Sequence, residues 1–153
     1  MGGKKLRLNA LPASSGSFLA QKNTGADYTA EVCVDRKTGA AAGLSLIGDE
    51  RNMVTLFRKG DSLNLMQLRN NKDSLLSNIM VSAKDVYLRM VIRNGKDITY
   101  FYSTNGKTFL PVNATPVNGA YLPPWDRALR VGLVSRGSEN EQAVFKMFKY
   151  IAE

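Results

Sequence analysis

The stretch Tyr100-Phe101-Tyr102-Ser103-Thr104-Asn105-Gly106-Lys107-Thr108-Phe109 (YFYSTNGKTF) decides how this chain is read. Asn-Gly is the preferred pair for a two-residue type I′ turn, because both positions need positive φ and both residues tolerate it. The pair predicts a hairpin at Asn105-Gly106. With a side-chain period of two, Ile98, Tyr100 and Tyr102 share one face of the incoming strand, and Thr99, Phe101 and Ser103 share the other. The turn reads as a register-setting element that does no chemistry.

Working outward, a second Asn-Gly pair at Asn94-Gly95 follows a cleanly alternating run over 86–93. Further strand-like runs, bounded by turn residues, occupy 5–10, 18–21, 28–35, 41–47, 52–59, 62–70, 79–81, 129–136 and 143–150. No segment sustains a helical period, apart from a short turn near 73–77. About ten strands without helices predict an all-β protein, and its exposed edges are resolved by stacking two antiparallel sheets or closing a barrel. Residues 111–126 break the spacing. They hold four of the five prolines with Tyr121 and Trp125, and read as a long ordered loop, where binding residues tend to sit.

Composition removes several function classes. The 153 residues are 44% hydrophobic, enough for a substantial core. There is no histidine and one cysteine, Cys33. A Ser-His-Asp or Cys-His site, a histidine-based zinc site and an internal disulfide are therefore excluded. No apolar run approaches a membrane span. The start MGGKKLRLNALPASS lacks a continuous apolar core, which reads as no signal peptide, so the chain is expected to be cytoplasmic or part of an exported protein. The net charge is +8, but the Lys and Arg residues are scattered and form no block. Nucleic acid is not the expected partner.

In this order the strands resemble the concanavalin A-like domain that follows the catalytic propeller in many family 43 glycoside hydrolases, the β-xylosidases and arabinofuranosidases. The resemblance rests on Lys5-Leu6-Arg7-Leu8-Asn9-Ala10-Leu11-Pro12-Ala13, Phe18-Leu19-Ala20-Gln21-Lys22-Asn23, Ala42-Gly43-Leu44-Ser45-Leu46 and Val86-Tyr87-Leu88-Arg89-Met90-Val91-Ile92. The opening hairpin, Arg130-Val131-Gly132-Leu133-Val134-Ser135 and Ala143-Val144-Phe145-Lys146-Met147-Phe148-Lys149-Tyr150 complete it. It implies an all-β concanavalin A-like jelly-roll sandwich of two antiparallel sheets, spanning residues 1–153 as one domain. The family's first, aromatic-bearing strand has no counterpart here. Phe109 stands where the family has Trp, and Lys146 where it has Asp. The latter, with no acidic cluster at calcium-loop spacing, disfavours the structural calcium of some related jelly rolls, and no cofactor is expected.

A glycosidase needs two carboxylates at a fixed separation. None of the thirteen acidic residues sits in a distinctive motif, and in the resembled enzymes the catalytic acids belong to the absent propeller. The resemblance therefore implies a non-catalytic accessory domain that packs against a glycosidase catalytic domain. Two alternatives stay open. One is a stand-alone module binding xylo- or arabino-oligosaccharides. Its candidate contacts are Trp125, Tyr121, Tyr87 and Arg89, because aromatic faces stack on sugars and guanidinium groups donate to hydroxyls. Tyr100, Tyr102 and Arg93 are weaker candidates. The other alternative is a basic surface for anionic polymers. Each candidate has a plainer reading: Trp125 as a plug under its loop, Tyr100 and Tyr102 as core, Arg89 and Arg93 as a solvated or domain-contacting face.

Overall fold

The computed structural model describes residues 5–22, 25–35, 39–123 and 129–152. Its strands are β1 (Leu6–Asn9), β2 (Ser17–Lys22), β3 (Tyr28–Val34), β4 (Ala41–Asp49), β5 (Asn52–Lys59), β6 (Ser62–Arg69), β7 (Lys72–Met80), β8 (Val86–Arg93), β9 (Asp97–Ser103), β10 (Leu110–Pro111), β11 (Val117–Asn118), β12 (Arg130–Arg136) and β13 (Gln142–Ala152). Among the described residues there is no helix. Two antiparallel sheets result. One runs β1-β13-β3-β8-β9-β10, with β11 also on β9; the other runs β2-β12-β4-β5-β6-β7. This is the expected jelly-roll sandwich.

The core lies where the two inner faces meet. Ala30, Val32, Leu88, Met90, Ile98 and Tyr100 of the seven-stranded sheet face Leu44, Leu46, Val54, Leu56, Leu65 and Val131 of the other, all nearly inaccessible. Tyr100 spans the sandwich, and its hydroxyl lies 2.9 Å from the Leu44 carbonyl and 2.8 Å from that of Val54. The plain reading of Tyr100 as core is the observed one, and Tyr102 packs partly buried against the same cluster. Arg58 is also buried, at 1% exposure. From β5 it donates to the Val34 carbonyl at 3.3 Å, Lys84 at 3.1 Å, Gly60 at 3.0 Å and Ala83. It thereby ties the six-stranded sheet to the end of β3 and to the segment entering β8.

Two local expectations are corrected. Asn105-Gly106 is not a two-residue turn. Tyr102 pairs with Leu110, so the loop between the paired residues runs from 103 to 109. Gly106 has φ +76°, whereas Asn105 is not among the residues with positive φ. The asparagine works through its side chain instead: Oδ1 accepts from the backbone of Lys107 (2.8 Å) and Thr108 (2.9 Å). The two-residue turn with positive φ at both positions occurs at Asn70-Asn71, φ 51° and 65°, where Arg69 pairs with Lys72. Residues 73–77 form no helical turn but belong to β7, and the short strand read at 79–81 is its end. A bulge between Leu65 and Met66 in the β6–β7 pairing upsets the period there. The loop over 111–126 carries two short strand segments, β10 and β11.

The six-stranded sheet curls. Arg136 on β12 and Asp73 on β7 form an ion pair at 2.6 Å, although β4, β5 and β6 lie between their strands. Four strand spacings of about 4.8 Å exceed the reach of the two side chains on a flat sheet. The outer face must therefore be concave, and the pair crosses it. Beneath lie Ile47, Met53, Phe57, Leu68 and Val134, all buried although they point away from the main core.

Candidate functional site

The outer face of the seven-stranded sheet carries a constellation built by register. Opposite Arg89 on β8 stand Glu31 on β3 and Phe101 on β9; opposite Tyr87 stand Cys33 and Ser103. Arg89 Nε and Nη2 lie 3.0 and 2.9 Å from Glu31 Oε1. Its guanidinium carbon also lies 3.6 Å from the centre of the Phe109 ring. Phe109 reaches this point because the 103–109 loop folds back over the sheet. Ser103 Oγ accepts from Gly106 N at 2.9 Å, and the turn packs onto Tyr87. A Cβ at Gly106 would sit 2.9 Å from Tyr87 Cζ, so a side chain there would push the Tyr87 ring aside and would also be strained by φ.

Beneath this loop opens a cleft of about 510 Å³, lined among others by Glu31, Asp85, Tyr87, Lys107, Lys146 and Lys149. Lys146 and Lys149 reach the same face because β13 bulges between Phe145 and Met147. In a regular strand, residues three apart point to opposite faces. Lys146 Nζ lies 2.8 Å from Asp85 Oδ2, and this hydrogen bond raises the lysine's pKa. Burial pushes the Cys33 thiol up to about 11, and the charge on Cys33, followed by burial, raises the Tyr87 phenol.

A second feature lies on the flank where, among the described residues, the two sheets end in the edge strands β1 and β2. Leu6, Leu19 and Phe148 point into the gap between the sheets yet remain 39%, 56% and 38% exposed. With Val131 and Leu133 they line an apolar groove of about 280 Å³. Among the described residues no group of three His, Cys, Asp or Glu side chains stands together as a metal site.

The family model for the β-xylosidase C-terminal concanavalin A-like domain matches residues 2–151. The chain belongs to this family. Solved structures agree in fold. The GH43 protein BlXynB of Bacillus licheniformis superposes with a TM-score of 0.81 at 19% identity, over 97% of this chain and 33% of that one. The xylan β-1,4-xylosidase of Bacillus halodurans gives 0.81 at 18%, over 96% and 32%. The xyloglucan-locus GH43B of Bacteroides ovatus gives 0.80 at 15%, over 97% and 33%. The chain thus spans about a third of each of these structures. No curated protein matches it in sequence.

In this member of the family the candidate sugar contacts lie apart. Tyr87 and Arg89 are neighbours on the outer face of the seven-stranded sheet. Arg93 shares that face at its end and donates to the Ile92 carbonyl at 3.0 Å. Tyr121 belongs elsewhere. Its hydroxyl lies 3.0 Å from the Leu68 carbonyl, Arg69 sits 4.8 Å from its ring centre, and burial raises its phenol to about 12. Trp125 lies outside the described residues. Sequence reading missed Lys107, Lys149 and the flank groove. Lys146 is outward by regular alternation from the buried Phe145, but the bulge that turns Lys149 to the same face has no sequence signature.

Proposed function

We propose that this chain is the non-catalytic C-terminal accessory domain of a family 43 glycoside hydrolase of β-xylosidase or arabinofuranosidase type. It packs against the catalytic domain and helps to shape its sugar-binding mouth. The observation that carries this reading is the family match over residues 2–151, in a chain spanning a third of the enzymes it superposes on. The apolar flank groove supports it, since inward-facing leucines left half exposed mark a surface suited to contact. In such a protein the two carboxylates for glycoside cleavage come from the other domain.

Two assays test the reading. The chain is mixed with a separately produced family 43 catalytic domain, and complex formation and the melting temperature of that domain are followed. Association with a raised melting temperature is expected. In parallel, a chromogenic xyloside and arabinofuranoside are offered to the chain alone, and no turnover is expected. Turnover by the isolated chain, or indifference to every catalytic domain of the type, overturns it. A second reading, direct contact with oligosaccharide, is favoured by the polar cleft under the 103–109 loop.

A further inference from the structure

We propose that the cleft beneath the 103–109 loop binds a carboxylate-bearing sugar, a hexuronic acid residue within an oligosaccharide. This rests on the carbohydrate-associated reading above and adds the charge of the ligand. The charges in and beside the cleft do not cancel. Lys146 is paired with Asp85, and Glu31 with Arg89. Lys107 and Lys149, both exposed, line the same cleft and have no carboxylate partner among the described residues. Asn105 adds a third donor, because its Oδ1 is held by the loop while Nδ2 has no partner among the described residues. Two ammonium groups and an amide facing one cleft suit a carboxylate, with charge-assisted hydrogen bonds.

The remaining lining favours a sugar over a phosphate polymer. Glu31 and Asp85 are acceptors in the cleft, and a hydroxyl-bearing ring satisfies them. A DNA-type phosphodiester backbone brings no hydroxyl donors to match them. Tyr87 and Met147 provide apolar wall, and the 510 Å³ volume falls within the usual range for a small-ligand site.

The test is calorimetry on the whole chain with three probes: xylotriose, the same trisaccharide bearing one glucuronic acid, and its carboxyl-reduced counterpart. Inorganic phosphate and a single-stranded oligonucleotide serve as controls. The acidic probe is expected to bind about tenfold more tightly than the reduced one, with the preference shrinking as salt rises from about 50 to 200 mM. The exposed double substitution Lys107→Ser with Lys149→Gln is expected to erase the preference while leaving the melting temperature unchanged. Equal binding of the acidic and reduced probes, no binding of either, survival of the preference in the double variant, or equally tight capture of phosphate or oligonucleotide overturns the proposal. A chain that fails here yet associates with a catalytic domain loses only this proposal. One that turns over a chromogenic glycoside loses the reading beneath it.

Discussion

The guanidinium carbon of Arg89 lies 3.6 Å from the centre of the Phe109 ring, while two of its nitrogens hold Glu31 Oε1. One side chain thus joins β3, β8 and the loop after β9. Phe109 shields the ion pair from water on one side, which strengthens an interaction that would otherwise be worth little on a surface. Phe109→Ala and Arg89→Met are each expected to cost about 1–2 kcal/mol, with a coupling near 1 kcal/mol in the double variant. Additive losses in urea titrations would show that the ring and the cation do not act together.

Arg58 is the largest fully buried side chain among the described residues, and its guanidinium donates to the backbone carbonyls of Val34, Gly60, Ala83 and Lys84. Replacing it with methionine fills the volume but leaves the buried Val34 carbonyl without this donor and unties the Ala83 and Lys84 carbonyls. Arg58→Met is expected to destabilise the fold by about 3 kcal/mol or more, and Arg58→Lys, with a single donor group, by roughly half of that. A methionine variant with the parent's urea midpoint would mean that those carbonyls find other partners.

The loop at Asn105 depends on an acceptor rather than on a tolerated φ. Its Oδ1 takes backbone hydrogens from Lys107 and Thr108, and an aspartate offers the same acceptor. Asn105→Asp is expected to leave the melting temperature near that of the parent, whereas Asn105→Ala is expected to cost about 1–2 kcal/mol. Gly106→Ala is expected to be worse than either, since its Cβ would strike Tyr87. Equal melting temperatures for the alanine and aspartate variants would remove the side chain's role.

These details mark how far the sequence could be read. Strands β8 and β9 were legible because a solvated outer face and a buried inner face produce strict alternation, Val86, Leu88, Met90 and Ile92 against Tyr87, Arg89, Val91 and Arg93. Strand β7 was not, because it is an edge strand exposed over most of its length, so nothing selects an apolar face at Ser74, Leu75 and Leu76. The ordered motifs from LRL to the closing strand marked the family, but the cleft depends on a bulge and on a side-chain-built loop. Neither leaves a periodic trace, and Lys107 and Lys149 meet only through them.

Above neutral pH the buried hydroxyls and the thiol set a limit on stability. Burial raises Cys33 from 9.0 to about 11 and Tyr121 from 10.0 to about 12, and it raises Tyr100 well above its ordinary value. In each case the folded protein holds a proton that the unfolded chain releases first. The stabilisation is therefore complete below pH 9, where even the unfolded thiol is protonated, and is lost as pH rises through the folded values. The melting temperature is expected to be level up to about pH 9 and to fall between about pH 9 and 12. Tyr100→Phe removes one of these groups. It is expected to lower the melting temperature at pH 7, through the hydrogen bonds lost to Leu44 and Val54, but to flatten the alkaline decline. A variant whose melting curve falls with pH as steeply as the parent's would show that Tyr100 ionisation takes no part in alkaline unfolding.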